Sequence, residues 1–190
     1  MSTLSSTMPI EYERKFLIAP VARDTALAHF AGAPTARILD AYLPPRGGAG
    51  PRLRLRVEAP VGEPDPPRAV ACVKVPRPDG KGRDELEWEV PLPQPLPAGA
   101  GIVAKLRATI ADLSPQGATC TVDAYTSPAT AACPLTGAPL SGPVLGAEVE
   151  GDPAAVDAWV PPPGWIEVTG RPEFGAGHVA EHGWPAPPAS

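Results

Sequence analysis

With 190 residues, 43% of them hydrophobic, and a net charge of −5, the chain has the size of one folded domain with its own core. The acidic balance excludes nonspecific nucleic-acid binding as its main task. No apolar run approaches the ~18 residues that a membrane helix requires. The 29 prolines and 19 glycines approach the level of a low-complexity chain, but they cluster, and the segments between them keep clear periodicity.

Residues 1–9 lack the basic region and apolar stretch of a signal peptide and read as a disordered arm. A single domain over 10–182 follows, then a flexible tail over 183–190. Residues 10–18 (IEYERKFLI) alternate as a strand, with Glu11, Glu13 and Lys15 on one face and Tyr12, Arg14 and Phe16 on the other. Residues 21–31 have near-helical spacing and end at Gly32 and Pro34. Residues 36–43 predict a second strand, closed by the turn at 44–50. Residues 51–57 (PRLRLRV) alternate strictly, with Arg52, Arg54 and Arg56 opposite Leu53, Leu55 and Val57. After a loop at 58–68, strands over 69–75 and 83–90 predict a hairpin around a turn at 76–82. The first carries Lys74. The second puts Arg83, Glu85, Glu87 and Glu89 on one face and Leu86, Trp88 and Val90 on the other.

Residues 102–110 put Lys105 and Arg107 on one strand face, and 118–125 do the same for Thr119, Thr121, Asp123 and Tyr125. A small-residue loop fills 126–143. Residues 144–150 carry Glu148 and Glu150 opposite Leu145, Ala147 and Val149. A short helix over 152–159 opens with Asp-Pro, a favourable start. The prolines at 161–163 halt it, 165–169 leads on, and 174–182 reads as a final helix. The cysteines Cys72, Cys120 and Cys133 are far apart without CxxC or zinc spacing, which predicts reduced, buried thiols in a cytoplasmic protein. His178 and His182 have helical metal spacing but no third ligand nearby. Trp88, Trp159, Trp165 and Trp184 are expected to pack the outside of the sheet and its end.

At least five strands therefore carry charge on one face and apolar residues on the other. One is all arginine, one nearly all glutamate, one Lys-Arg and one Glu-Glu. An exposed sheet would also alternate. Both signs distributed over separate strands suit a closed antiparallel barrel of about eight strands with a polar interior, wide enough for a small ligand. Arginine forks and lysines take phosphate oxygens, and carboxylates take divalent cations that coordinate the same phosphate.

The ordered set Glu11-x-Glu13-x-Lys15, Tyr42, Arg54-x-Arg56, Lys74, Arg83-x-Glu85-x-Glu87, Lys105-x-Arg107, Asp123, Glu148-x-Glu150 and the closing PPP…EVTG (161–163, 167–170) resembles the CYTH superfamily, the triphosphate tunnel metalloenzymes, over about residues 9–182. The small bacterial tripolyphosphatase type is the nearest. The resemblance implies a mainly β (α+β) fold, an eight-stranded antiparallel β-tunnel with a charged lumen and a few short flanking helices. It implies a cytoplasmic, Mg²⁺- or Mn²⁺-dependent hydrolysis of inorganic triphosphate. Lys15, Arg54, Arg56, Lys74, Arg83 and Arg107 would bind substrate, with Lys105 also at the phosphates. Glu11, Glu13, Glu87, Asp123, Glu148 and Glu150 would ligate metal. Lys105 with Tyr42 would act at the scissile phosphate, and Glu85 would orient the attacking water. The partner would be a small anionic phosphorylated substrate, with no nucleic acid or membrane, and a homodimer is compatible with the sequence.

An enzyme of an organic triphosphate or diphosphate is an alternative, as are a recruited reaction on another phosphorylated metabolite and a module that binds polyphosphate without turnover. The C-terminal segment departs from the pattern. Glu173 stands where relatives carry arginine, Phe174 where they carry tyrosine and Ala176 where they carry asparagine, with Arg171 as a shifted source of charge.

Overall fold

Strict alternation over nine-residue stretches commits most of this chain to strands, because one side of each stretch is apolar and must face away from water. A computed structural model describes residues 10–30, 32–43, 52–62, 64–76, 82–93 and 95–187. Its strands are β1 (Ile10–Ile18), β2 (Thr35–Leu43), β3 (Arg52–Pro60), β4 (Arg68–Pro76), β5 (Gly82–Val90), β6 (Gly101–Thr109), β7 (Ala118–Ser127), β8 (Val144–Gly151) and β9 (Trp165–Glu167). The helices α1 (Arg23–Ala28), α2 (Pro153–Ala158) and α3 (Ala176–His182) are short, and 3-10 turns cover Pro20–Ala22, Ala111–Leu113 and Pro172–Phe174. The arm at 1–9, the turn at 44–50, most of the turn at 76–82, the tail's end at 188–190 and the side chains of Glu11, Arg52 and Arg83 lie outside the described residues.

The strands form one antiparallel sheet in the order β5-β4-β3-β2-β6-β7-β8-β1-β9. It has nine strands, where the sequence predicts eight. The extra strand, β9, pairs Trp165–Glu167 with Phe16–Ile18. Three residues are too few to display a period, so only the pairing reveals it. β1 also pairs through Ile10, Glu11 and Tyr12 with Asp84, Arg83 and Gly82 of β5. β3 continues to Pro60, past the predicted loop start, because Glu58 pairs across to Arg68 and Pro60 to Ala36.

The two faces differ in chemistry. On one, Phe16, Val122, Leu145, Ala147 and Val149 join Ala22, Ala26, Val156 and Trp165 in a buried cluster under α1 and α2. Phe16 is its hub, with ring centroids 5.3 Å from Trp159 and 6.3 Å from Trp165. α2 starts as its Asp-Pro sequence predicts, with the Asp152 carboxylate accepting from the N–H groups of Ala154 (2.9 Å) and Ala155 (3.3 Å). A second cluster closes one end of the sheet, where Phe174, Val179 and Trp184 meet Leu17, Val103 and Tyr125. Trp184, expected in a flexible tail, packs edge-on against Tyr125 at 5.0 Å and donates its Nε1–H to the carbonyl of Pro128. No helix among the described residues is long and apolar enough to cross a membrane.

The EVTG segment has a pinning role. Glu167 accepts two hydrogen bonds from Arg14 (3.1 and 2.8 Å), while the N–H of Val168 and the hydroxyl of Thr169 take the backbone carbonyl and N–H of Lys15. β1 is thereby fixed on both sides of its Lys15.

Phe16 is 1% exposed. Phe16→Ala is expected to lower stability by about 3–5 kcal/mol, because it removes the aromatic hub and leaves a cavity. Urea unfolding of wild type and variant measures this, and a loss under 1 kcal/mol would show that the cluster is not the core.

Candidate functional site

Period two places the polar residues of successive strands side by side, and the register decides which of them meet. Arg54 lies opposite Tyr42 on β2 and Cys72 on β4, Arg56 lies opposite Asp40, and Lys74 lies opposite Glu85. Arg107 lies opposite Asp123, Lys15 opposite Glu148, and Glu13 opposite Glu150. All project from one face of the sheet.

Two ion-pair networks result. In the first, Asp123 accepts from Arg107 Nε (2.7 Å) and Nη2 (2.6 Å) and from Lys105 Nζ (2.6 Å). Arg107 Nη2 also reaches Glu148 at 2.8 Å, and Glu148 takes Lys15 Nζ at 2.8 Å. Lys15 Nζ is 3.3 Å from Glu13. In the second, Asp40 holds Arg56 with bonds of 2.7 and 3.0 Å. Arg54 Nη2 donates to Glu87 at 2.7 Å and lies 3.6 Å from Glu85, which pairs with Lys74 at 3.2 Å.

Burial raises the electrostatic stakes. Asp40 and Asp123 are 0% and 1% exposed. Burial alone would favour their neutral forms, but Arg56 holds Asp40 down to about 2, and Arg107 with Lys105 keeps Asp123 low. Burial, with repulsion from Arg107, brings Lys105 down to about 8 despite its pair with Asp123. It pushes the hydroxyls of Tyr42 and Tyr125 up, so both are neutral donors at neutral pH.

Arg54 Nε is fully buried and has no hydrogen-bond partner; Asp40 Oδ1 is 4.0 Å away. A buried guanidinium N–H without an acceptor costs about 1–3 kcal/mol. An anionic oxygen delivered to this point would remove that cost.

The register sets Tyr125, not Tyr42, opposite Lys105, and Lys105 Nζ stands 5.3 Å from the Tyr125 ring centroid. Tyr42 lies opposite Gly101, farther along the strand. An extra residue on β7 between Ser127 and Tyr125 shifts the pairing next to Lys105, a bulge of the kind that re-aims a side chain.

Asp40 and Cys72 were not among the expected site residues. Asp40 could have been found from its place two residues before Tyr42, and Cys72 from its place two residues before Lys74. Arg171 is half exposed, pairs with Glu173 at 2.9 Å and lies over the Phe174 ring. The rings of His178 and His182 lie tilted with centroids 4.5 Å apart, and the two join no cluster of three ligands among the described residues.

Two arrangements bear on metal binding. Among the described residues, Cys72, Glu85 and Glu87 bring three ligand atoms within 4.8 Å of one another. Burial pushes the Cys72 thiol up to about 12, and it donates to Glu85 at 2.8 Å. Arg54 and Lys74 already occupy these carboxylates, so the cluster fits a hard cation poorly. Glu13 and Glu150 are carboxylates directly opposite on β1 and β8, and Lys15 Nζ, 3.3 Å from Glu13, already offsets part of their mutual repulsion.

No protein-family model matches the sequence, and no curated protein does. Among solved structures, the chain is similar to the hypothetical protein NE1496, with 22% identity over 90% of this chain and 97% of that one and a TM-score of 0.49. It is also similar to a chain of the Schizosaccharomyces pombe Mediator head module, with 10% identity over 77% and 84% and a TM-score of 0.45.

Asp40 yields a test of the second network. Its carboxyl is lowered from an ordinary 3.8 to about 2, so its charge stabilises the fold above pH 4 and ceases to do so as the pH falls through about 2. At pH 7, Asp40→Asn is expected to cost about 3–5 kcal/mol because Arg56 loses its partner. That gap should shrink by about 2 kcal/mol between pH 4 and pH 2, measured by urea unfolding at each pH. A gap independent of pH would show that Asp40 carries no charge in the fold.

Proposed function

We propose that this chain is a divalent-metal-dependent phosphohydrolase that binds inorganic triphosphate inside a β-tunnel, as its resemblance to the triphosphate tunnel metalloenzymes implies. The observation that carries this reading is the buried Arg54 Nε without an acceptor, set among cations that line the charged face. The pairing of β1 with both β8 and β5 supports a tunnel, because it joins the first and eighth strands of the order. The charged face is then the lumen.

The named cations of this lumen are matched by carboxylates. A polyanion entering it brings excess negative charge, which divalent cations would offset. Glu13 and Glu150, with Glu11 from the same strand, would hold such a cation, which would supply charge neutralisation at the phosphate oxygens. Arg54 and Arg56 would grip phosphate oxygens through their guanidinium forks, and Lys15, Lys74, Arg83 and Arg107 would add positive charge along the chain of phosphates. Lys105, rigidly held by Asp123 and the bulge beside it, would stabilise charge at the scissile phosphate, with Tyr125 adjacent. Glu85 would position the attacking water for in-line displacement. Catalysis would rest on fixed charges in a site poor in water.

A second reading, binding without turnover, draws on the ion pairs that already hold Lys105 and Glu85 and on the engagement of Arg171 by Glu173. Phosphate release separates the two. With tripolyphosphate in Mg²⁺ or Mn²⁺, release is expected to be rapid and to stop in EDTA, with slower release from ATP, thiamine triphosphate and pyrophosphate. Arg54→Met should slow it about 10²–10³-fold, the cost of removing one preorganised donor. No release, in a protein that tripolyphosphate protects against heat, would establish the binding module instead. No release and no protection would refute both.

The pH profile tests Lys105. A lysine that must be charged loses its proton as the pH rises through about 8, so the rate should fall above that pH. Lys105→Arg should move that falling limb upward, because arginine stays charged. An unmoved limb would remove Lys105 from the reaction.

A further inference from the structure

The outer faces of the two halves of this sheet have the same apolar pattern but different cover. Over β1 and β6–β8 the apolar residues lie under α1, α2 and their turns. Of the described helices, α2 packs chiefly on β1 and β8 and α3 on β2 and β6, while β3, β4 and β5 take no substantial helix contact. There the register aligns Leu55, Ala71 and Trp88 in one row and Leu53, Val73 and Leu86 in the next. No charge interrupts the rows. Leu86 is 52% exposed and Trp88 43%, whereas Trp165 is only 8% exposed.

We propose that this face docks on the same face of a second copy of the chain, in a two-fold symmetric dimer. Size is the first argument. Three nine-residue strands 4.8 Å apart present about 400 Å² of sheet plane. Two such faces with their side chains bury about 1,000 Å² or more, the level at which specific interfaces begin. Monomeric soluble proteins rarely leave contiguous apolar patches of this extent without a partner, and this one is open at Leu86 and Trp88 around the buried Ala71.

Chemistry selects the occupant. A face without charge is its own complement across a two-fold axis, whereas an unlike partner is usually registered by charge. Two twisted antiparallel sheets also stack well, about 10 Å apart. A membrane surface would call for basic residues around the patch, and this chain is acidic overall with no cation in these rows. A small ligand would call for a concavity, and this is the outer side of a sheet.

β5 alternates between the two functions. Glu85 and Glu87 project to the charged face, and Leu86 and Trp88 to the dimer face. The dimer therefore braces the strand that carries part of the candidate site.

Sedimentation equilibrium of the full chain at micromolar concentrations tests the proposal. Twice the chain mass is expected for wild type. Leu86→Lys and Trp88→Glu should each give the single-chain mass with an unchanged circular dichroism spectrum, while Val160→Lys, at a residue 82% exposed elsewhere, should keep the double mass. Tryptophan emission should shift to the blue as wild type is concentrated, and the shift should vanish in Trp88→Phe. A single-chain mass for wild type at every concentration would overturn the proposal. So would a double mass that survives both substitutions, which would place the interface on another face, or an assembly larger than two chains.

Discussion

Asp123 accepts from both Arg107 and Lys105 while almost wholly removed from water, and the charged face of the sheet depends on pairings of this kind. A lone buried carboxylate would protonate and a lone buried ammonium would lose its proton. Cross-strand pairing avoids both. The arginine strand β3 repels itself until Asp40 of β2 and Glu85 and Glu87 of β5 draw its guanidinium groups inward. The Lys-Arg strand β6 is balanced by Asp123 of β7, and β6 and β1 share Glu148 of β8 through Arg107 and Lys15. Strand order and charge order are thus one constraint, because each charged strand sits beside a strand or near a strand of opposite sign.

Such pairing is not a large source of stability in itself. Apolar replacements of buried ion pairs are frequently neutral or stabilising. A sheet that retains so many of them, and leaves one guanidinium nitrogen without an acceptor, keeps a surface suited to a charged ligand at the expense of its own economy. Stability comes from the other face, where Phe16, Trp159 and Trp165 interlock, and from the end closed by Phe174, Val179 and Trp184. Arg14 joins the two regimes. Its guanidinium is on the apolar side, held by Glu167 and by the carbonyls of Val156 and Trp159, while the next residue, Lys15, enters the charged network.

Long alternating strands were legible from sequence because a period of two is visible over nine residues. Glu13, Lys15, Arg54, Arg56, Lys74, Glu85, Glu87, Lys105, Arg107, Asp123 and Glu148 share the face that their spacing assigned to them. The register was not legible, since a period fixes a residue's face but not its neighbour. That is why the cross-strand neighbour of Lys105, Tyr125, and the anchor of Arg56, Asp40, were not legible. β9 was too short to show a pattern. Trp184 follows a glycine near the chain's end, with nothing local to announce that Tyr125 awaits it. Arg171, expected as a shifted source of charge, is engaged by Glu173 and by the ring of the buried Phe174, contacts that no periodicity announces.

We propose that one face of this sheet holds a triphosphate together with a divalent cation. A crystal grown with Mn²⁺ and a non-hydrolysable triphosphate analogue tests it most directly through the anomalous signal of manganese. A manganese peak is expected beside the carboxylates of Glu13 and Glu150, with a phosphate oxygen within hydrogen-bond distance of Arg54 Nε. Manganese and analogue absent from this face, or bound only at the outer surface of the sheet, would contradict it.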